Sequence, residues 1–181
     1  MAENRGRDQA GVQGSGPSFV DTVVSVNRVT KVTKGGKRFS FSAFVVSGDQ
    51  CGKVGIGLGK SREVSSAIAK ATARARKSMI EVALRGTTIP YNVAGRHGAT
   101  NVVIHSAYKG TGLIAGGAVR AVMNAIGVKD VLAKSIGPSR CGQNLVKATL
   151  NALSKCRSAG HMARLRGKTI EQITKGDHDI A

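Results

Sequence analysis

The sequence predicts an α+β protein made of two small units in series: three strands and a helix, then an α/β half with two helices. Three observations lead there. Lys34-Gly35-Gly36-Lys37 separates two strand-like runs, the pattern of a tight hairpin. Across Arg62–Leu84 apolar residues recur at three- and four-residue steps with no Gly or Pro inside, which is the helical period. Beyond Arg85 the order switches to two strand-like stretches, a helix, a strand and a second helix.

Residues 1–18 are polar and aperiodic and predict a disordered tail. Val20–Val32 is the first strand and Phe39–Val46 its return, with Phe39 and Phe41 on one face because side chains alternate. Ser47–Gly52 turns into a third strand, Lys53–Lys60, where Val54, Ile56 and Leu58 face one way and Gly55, Gly57 and Gly59 the other. Such a glycine stripe lets another backbone approach closely. The helix that follows has Ser61 as N-cap and Glu63 in its first turn. It is apolar at Val64, Ala67, Ile68, Ala71, Ala75, Met79, Val82 and Ala83. Lys70, Arg74 and Lys77 fall along its polar side as a basic ridge. Arg85–Pro90 links this domain, 19–84, to a second, 85–160. There Ile89–Val93 and Asn101–Ser106 are strands flanking a Gly/Arg/His loop. Leu113–Ile126 is a helix stopped by Gly127, Val128–Ile136 a strand and Asn144–Ser158 a helix. Residues 161–181 form a basic extension with Arg164, Arg166 and Lys168.

Lys+Arg 28 against Asp+Glu 10 gives a formal charge of +18. Between Val82 and Ile170 the only carboxylate is Asp130. Cations without internal partners repel one another and oppose compaction. A polyanion relieves that repulsion and releases its own counterions, so charge this one-sided points to nucleic acid. A membrane fits less well: no apolar run approaches the roughly 18 residues of a spanning helix, and Met1–Ser18 lacks the apolar stretch of a signal peptide. Cys51, Cys141 and Cys156 are odd in number and widely spaced, which reads as reduced thiols in a cytoplasmic protein.

The spacing argues against catalysis. Gly55-x-Gly57-x-Gly59-Lys60-Ser61 ends like a phosphate-cradling loop, but Val54 stands where its first Gly belongs. Lys60 likewise replaces the third Gly of a dinucleotide motif. His97, His105, His161 and His178 have no metal-ligand spacing with one another or with cysteine. Acids, needed in pairs for sugar hydrolysis, are the scarcest class. No catalytic residue, metal, cofactor or small-molecule substrate is expected.

RNA binding is better supported. Lys37–Phe44 matches several positions of the stacking strand of an RNA-recognition motif, but the β-α-β stretch that should precede it is missing. Phe39 and Phe41 are therefore read as core residues of a half-buried sheet. With Tyr 2, Phe 4 and Trp 0 in the chain, stacking platforms are few. Recognition is expected to rest on phosphate, 2′-hydroxyl and shape. Lys31, Lys34, Lys37 and Arg38 crowd a narrow hairpin tip, where Gly35 and Gly36 let the backbone lie against an RNA strand; a solvated charged turn is the plainer alternative. Gly110-Thr111-Gly112 to Gly116-Gly117 opens a helix whose N-terminal amides favour an anion, tight packing of small residues being the alternative. Arg28, Thr30, Lys60, Arg62, Arg96, Lys109 and Arg120 join the tip, the ridge and the C-terminal cations as candidate RNA-binding residues.

Several of these stretches resemble one family. Val26-Asn27-Arg28-Val29-Thr30-Lys31 followed by Lys34-Gly35-Gly36-Lys37-x-Phe39-x-Phe41 resembles the opening of small-subunit ribosomal protein number five of bacteria. Gly52-x-Val54-Gly55-x-Gly57-x-Gly59-Lys60-x-Arg62-Glu63-Val64 continues the likeness. So do Gly110-Thr111-Gly112-x-Ile114-Ala115-Gly116-Gly117-Ala118-x-Arg120-Ala121, Asp130-Val131-Leu132-Ala133-Lys134 and Arg166-Gly167-Lys168. The motifs follow in order over nearly all the ordered chain. Where the family carries Asn-Pro before its last long helix, this chain has Cys141-Gly142. The resemblance implies a first domain like a double-stranded-RNA-binding domain. It implies a second, two-layer α/β domain with a left-handed βαβ crossover, against the usual hand. It also implies small-subunit rRNA as partner at the body–head junction, contacts with the small subunit's proteins four and eight, nearby mRNA on its way in, and an influence on decoding accuracy. The family's spectinomycin-resistance changes fall on the hairpin matching Thr30–Lys37.

Overall fold

The computed structural model describes residues 19–137 and 141–175, with two four-stranded sheets and five helices among them. The tail expected at 1–18 and the end of the basic extension lie outside the described residues. β1 (Val20–Thr33), β2 (Gly36–Gly48), β3 (Lys53–Ser61) and the short β4 (Ile80–Glu81) form an antiparallel sheet in chain order. α1 (Val64–Lys77) lies across it. Its Ala67, Ala71 and Ala75, one turn apart, face Gly59, Gly57 and Gly55 of β3. A Cβ at any of those three glycines would run into the carbonyl oxygen of the facing alanine. Helix backbone therefore lies directly on strand backbone, the close approach that the glycine stripe predicts.

The sheet's other face is also covered. Phe44, Val46 and Val54 belong to the larger apolar core, with Ile56 and Leu58 packed against it, and the core runs on into the second half through Met123 and Ile126. Those last two residues sit on α2 (Gly117–Ile126), which packs against β1, β2 and β3. The β2–β3 turn then stitches the halves together. Gln50 N–H donates to the Ala125 carbonyl at 3.0 Å and Gly52 N–H to the Ile126 carbonyl at 3.1 Å, satisfying the last carbonyls of α2. Asp49 Oδ1 holds the turn in shape by accepting from Cys51 N–H (2.8 Å) and Lys53 N–H (2.9 Å).

The second sheet has the order β5 (Val93–His97), β6 (Thr100–Ser106), β8 (Val131–Ile136), β7 (Leu113–Ile114), with β7 parallel to β8 across the α2 crossover. α3 (Gly142–Leu153) covers β5 and β6, and Gly95 repeats the earlier device by meeting the backbone of Ala148 and Ala152. α4 (Ala159–Arg166) and α5 (Ile170–Lys175) close the described chain and pack on each other.

Several expected boundaries move, each for a tertiary reason. The first helix stops at Lys77 instead of Leu84, because Ser78 Oγ folds back to the Arg74 carbonyl and Ile80–Glu81 pairs with Lys53–Val54. Its N-cap is Glu63, since Ser61 is still in the sheet opposite Phe41. Leu113–Ile114 is strand, paired with β8, and the helix begins only at Gly117, with Gly116 in extended backbone as its N-cap. The strand expected at Val128 begins at Val131, because the amides of Lys129 and Asp130 are engaged by the Thr87 carbonyl. Val93–His97, read partly as loop, is the strand that brings Gly95 under α3. The last long helix ends at Leu153 instead of Ser158, which caps α4 by accepting from His161 N–H.

Candidate nucleic-acid interface

β1 and β2 keep pairing beyond the end of β3, from Val29 opposite Ser40 out to Thr33 opposite Gly36. Residues 26–39 are all exposed, so the extension is solvated on both faces. Lys34-Gly35 makes the turn. Gly36 follows at φ +145°, a conformation that favours glycine, and its carbonyl accepts from Thr33 Oγ1 at 3.0 Å. The register sets Lys31 directly opposite Arg38, and like charges placed so destabilise a ribbon. One compensation is internal: the Arg28 guanidinium lies 3.8 Å from the centre of the Phe39 ring. Phe39 is thus 47% exposed, so the core reading of that ring is corrected; Phe41, partly buried against Ala43, Val45, Ala67 and Ala71, keeps it.

An open cleft lies between the base of this hairpin and the N-terminus of α1. Thr30, Lys31, Lys60, Arg62 and Lys70 line it, which brings together sequence-selected residues from three elements. Ser40 and Ser61 add hydroxyls that sequence reasoning missed; only the strand register, which puts Ser40 opposite Val29, could have shown them. Glu63 is the one acid in the lining, and its carboxylate accepts from Ser66 Oγ at 3.3 Å. The positive end of the α1 dipole adds to the four cations. Chemically, the cleft suits a phosphodiester strand.

The ridge on α1 divides. Arg74 Nη1 donates to the Leu58 carbonyl at 2.6 Å, and Ser78 Oγ to the Ile56 carbonyl at 3.0 Å, so both satisfy outward-facing groups on the open edge of β3. Lys70 and Lys77 stay exposed beside it. Arg76, not selected from sequence, pairs with Asp21 at 2.7 Å. Arg96, whose Nε donates to the Gly98 carbonyl at 3.1 Å, Lys109, Arg120, Arg164, Arg166 and Lys168 are all exposed, but in the second half and away from the hairpin cleft.

Two amides of the glycine-rich loop before α2 are taken by an anion of this same chain, and they lie ahead of the helix N-terminus at Gly117. Gly110 and Gly112, both at positive φ, donate their N–H groups to Asp130 Oδ1 at 2.9 and 3.1 Å. The Thr87 hydroxyl also bonds to this carboxyl, and these hydrogen bonds, with nearby Lys109, hold it below its ordinary value of 3.8. A depressed pKa means that the carboxylate contributes stability above the unfolded value, lost as pH falls through the folded one. Asp130→Ala is therefore expected to lower the thermal midpoint at pH 7. Thermal scans from pH 7 down to about 2 should show the two proteins converging below the ordinary carboxyl pKa; a constant gap would refute the assignment.

Among the described residues no group of three or more His, Cys, Asp or Glu is placed to hold a metal ion, and no helix is long and apolar enough to cross a membrane. Burial pushes the Cys156 thiol up, which keeps it unreactive.

Two family models match the chain: "Ribosomal protein S5, N-terminal domain" over residues 19–83 and "Ribosomal protein S5, C-terminal domain" over 95–166. The chain belongs to the ribosomal protein S5 family. Relatives named "Small ribosomal subunit protein uS5" are similar over most of both lengths. That of Gluconacetobacter diazotrophicus is 50% identical, covering 97% of this chain and 90% of the relative. That of Lawsonia intracellularis is 54% identical, covering 87% and 96%. That of Flavobacterium psychrophilum is 51% identical, covering 91% and 94%. S5 proteins are structural components of the ribosome and not enzymes.

Proposed function

We propose that this S5 chain acts in the small ribosomal subunit, in the cytoplasm, as a structural protein that grips folded rRNA by its backbone. The observation carrying this is the β1–β2 extension, where Lys31 faces Arg38 and Lys34 sits at the turn, all exposed and with no ion pair among the described residues. An isolated chain gains nothing from such crowding, whereas phosphates on another molecule reverse its sign. The hairpin tip, with Lys37, and the cleft of Thr30, Lys60, Arg62 and Lys70 are the primary grip. Arg28, Lys77, Arg96, Lys109, Arg120, Arg164, Arg166 and Lys168 are secondary contacts. In this reading 19–84 and 85–160 are the two domains and 161–181 is a basic extension.

The finer placement follows the family resemblance. The protein sits at the body–head junction, touches proteins four and eight of the small subunit, lies near incoming mRNA and affects decoding accuracy, and its Thr30–Lys37 hairpin is the spectinomycin-linked segment.

The test is the double substitution Lys34→Ala/Lys37→Ala. Binding to small-subunit rRNA should weaken, with a log–log salt slope shallower by about 2, one unit per lost phosphate contact. The thermal midpoint should hold, because exposed surface changes usually stay within about 0.5 kcal/mol. An equal loss of stability would make the hairpin a structural element instead.

A further inference from the structure

Tyr108 is 94% exposed, the most exposed of the large apolar side chains among the described residues. Its backbone is hydrogen-bonded on both sides. Ala107 N–H donates to Thr88 Oγ1 at 3.3 Å and Ser106 N–H to Asn92 Oδ1 at 3.0 Å. On the other side the Tyr108 carbonyl accepts from Thr111 N–H at 3.1 Å, and the Gly110 and Gly112 amides are tied to Asp130. The backbone beneath this solvated ring is already braced, so a partner has only the side chain left to order on contact.

The surroundings specify that partner. Tyr108 lines an open cleft together with the exposed Arg85 and Lys109 and the half-buried Pro90 and Ala107, and no carboxylate lines it. An aromatic face, two cations and an apolar bed are the elements that bind an unstacked nucleotide: the ring takes the base and the cations its flanking phosphates. A double-stranded backbone would use the cations and leave the ring idle.

We infer that the Tyr108–Arg85–Lys109 cleft is a second RNA site that takes one unpaired nucleotide of the RNA, with its base stacked on Tyr108. This rests on the rRNA-binding function proposed above.

The test uses the full chain with transcribed small-subunit rRNA, comparing wild type, Tyr108→Ala and Tyr108→Phe. Tyr108→Ala should bind about 5- to 100-fold more weakly with an unchanged salt slope, since stacking releases no counterions. Tyr108→Phe should bind within two-fold of wild type, because it keeps the ring. Such an exposed position leaves folding intact, which equal thermal midpoints will verify. Equal affinity of Tyr108→Ala and wild type would overturn the inference alone, and is what a neighbouring protein covering the ring would produce. Loss in Tyr108→Phe matching that in Tyr108→Ala would also overturn it, by assigning the contact to the hydroxyl. Failure of the wild type itself to bind rRNA would overturn the parent function as well.

Discussion

Raising the salt from about 50 to about 200 mM is expected to weaken binding of the full chain to small-subunit rRNA by about a thousand-fold or more. The size follows from counting phosphates. The tip presents Lys31, Lys34, Lys37 and Arg38, and the adjoining cleft adds Lys60, Arg62 and Lys70. If most of these engage, contact falls within the roughly 6–10 phosphates for which counterion release produces such a drop. Filter binding across a salt series measures it directly, and the slope matters more than any single affinity. A flat response would mean that the cations are solvated and the protein is held by something else.

Gly57→Ala is expected to cost about 3 kcal/mol or more, a large effect for one added methyl. The new Cβ would collide with the carbonyl oxygen of Ala71 and crowd the amide of Ala75. Both are helix backbone, so no side chain can swing aside; α1 must lift off β3 along its length. A loss of that size lowers the thermal midpoint by about 6–12 °C for a chain of this length. Gly117→Ala is the control, since nothing lies within 4 Å of its added Cβ and it begins a helix. It should leave the midpoint unchanged or slightly raised. A small effect at Gly57 would mean that the helix floats on the sheet.

Much of the first half was readable from residues alone because its information is local. A hairpin announced by Gly35-Gly36, an alternating glycine stripe and an alanine line at helical spacing each need only a short window. Boundaries were less readable, since they depend on distant partners. Nothing near Ile80 tells a reader that Lys53 and Val54 will offer it an open strand edge, and Leu113–Ile114 becomes strand only because Val131–Leu132 runs beside it. Asp130 shows the same limit. It stood out as an isolated acid among cations, yet its bond to the Gly110 amide spans 20 positions, so that loop's preference for an anion was visible while the anion's identity was not. Phe39 failed differently: alternation put it on the correct face, but the ribbon outruns the helix that would have covered it, and Arg28 lies over it instead.

That α2 packs on the first sheet matters while the protein is being made. Ile126 follows Ser61 by 65 positions (126 − 61). At about 5–20 residues per second, a nascent chain whose first three strands have emerged waits about 3–13 s for the helix that covers Phe44, Ile56 and Leu58. Until then an oily sheet and a cationic loop share one half-finished polypeptide, which makes it a client for whatever holdase waits outside the exit tunnel.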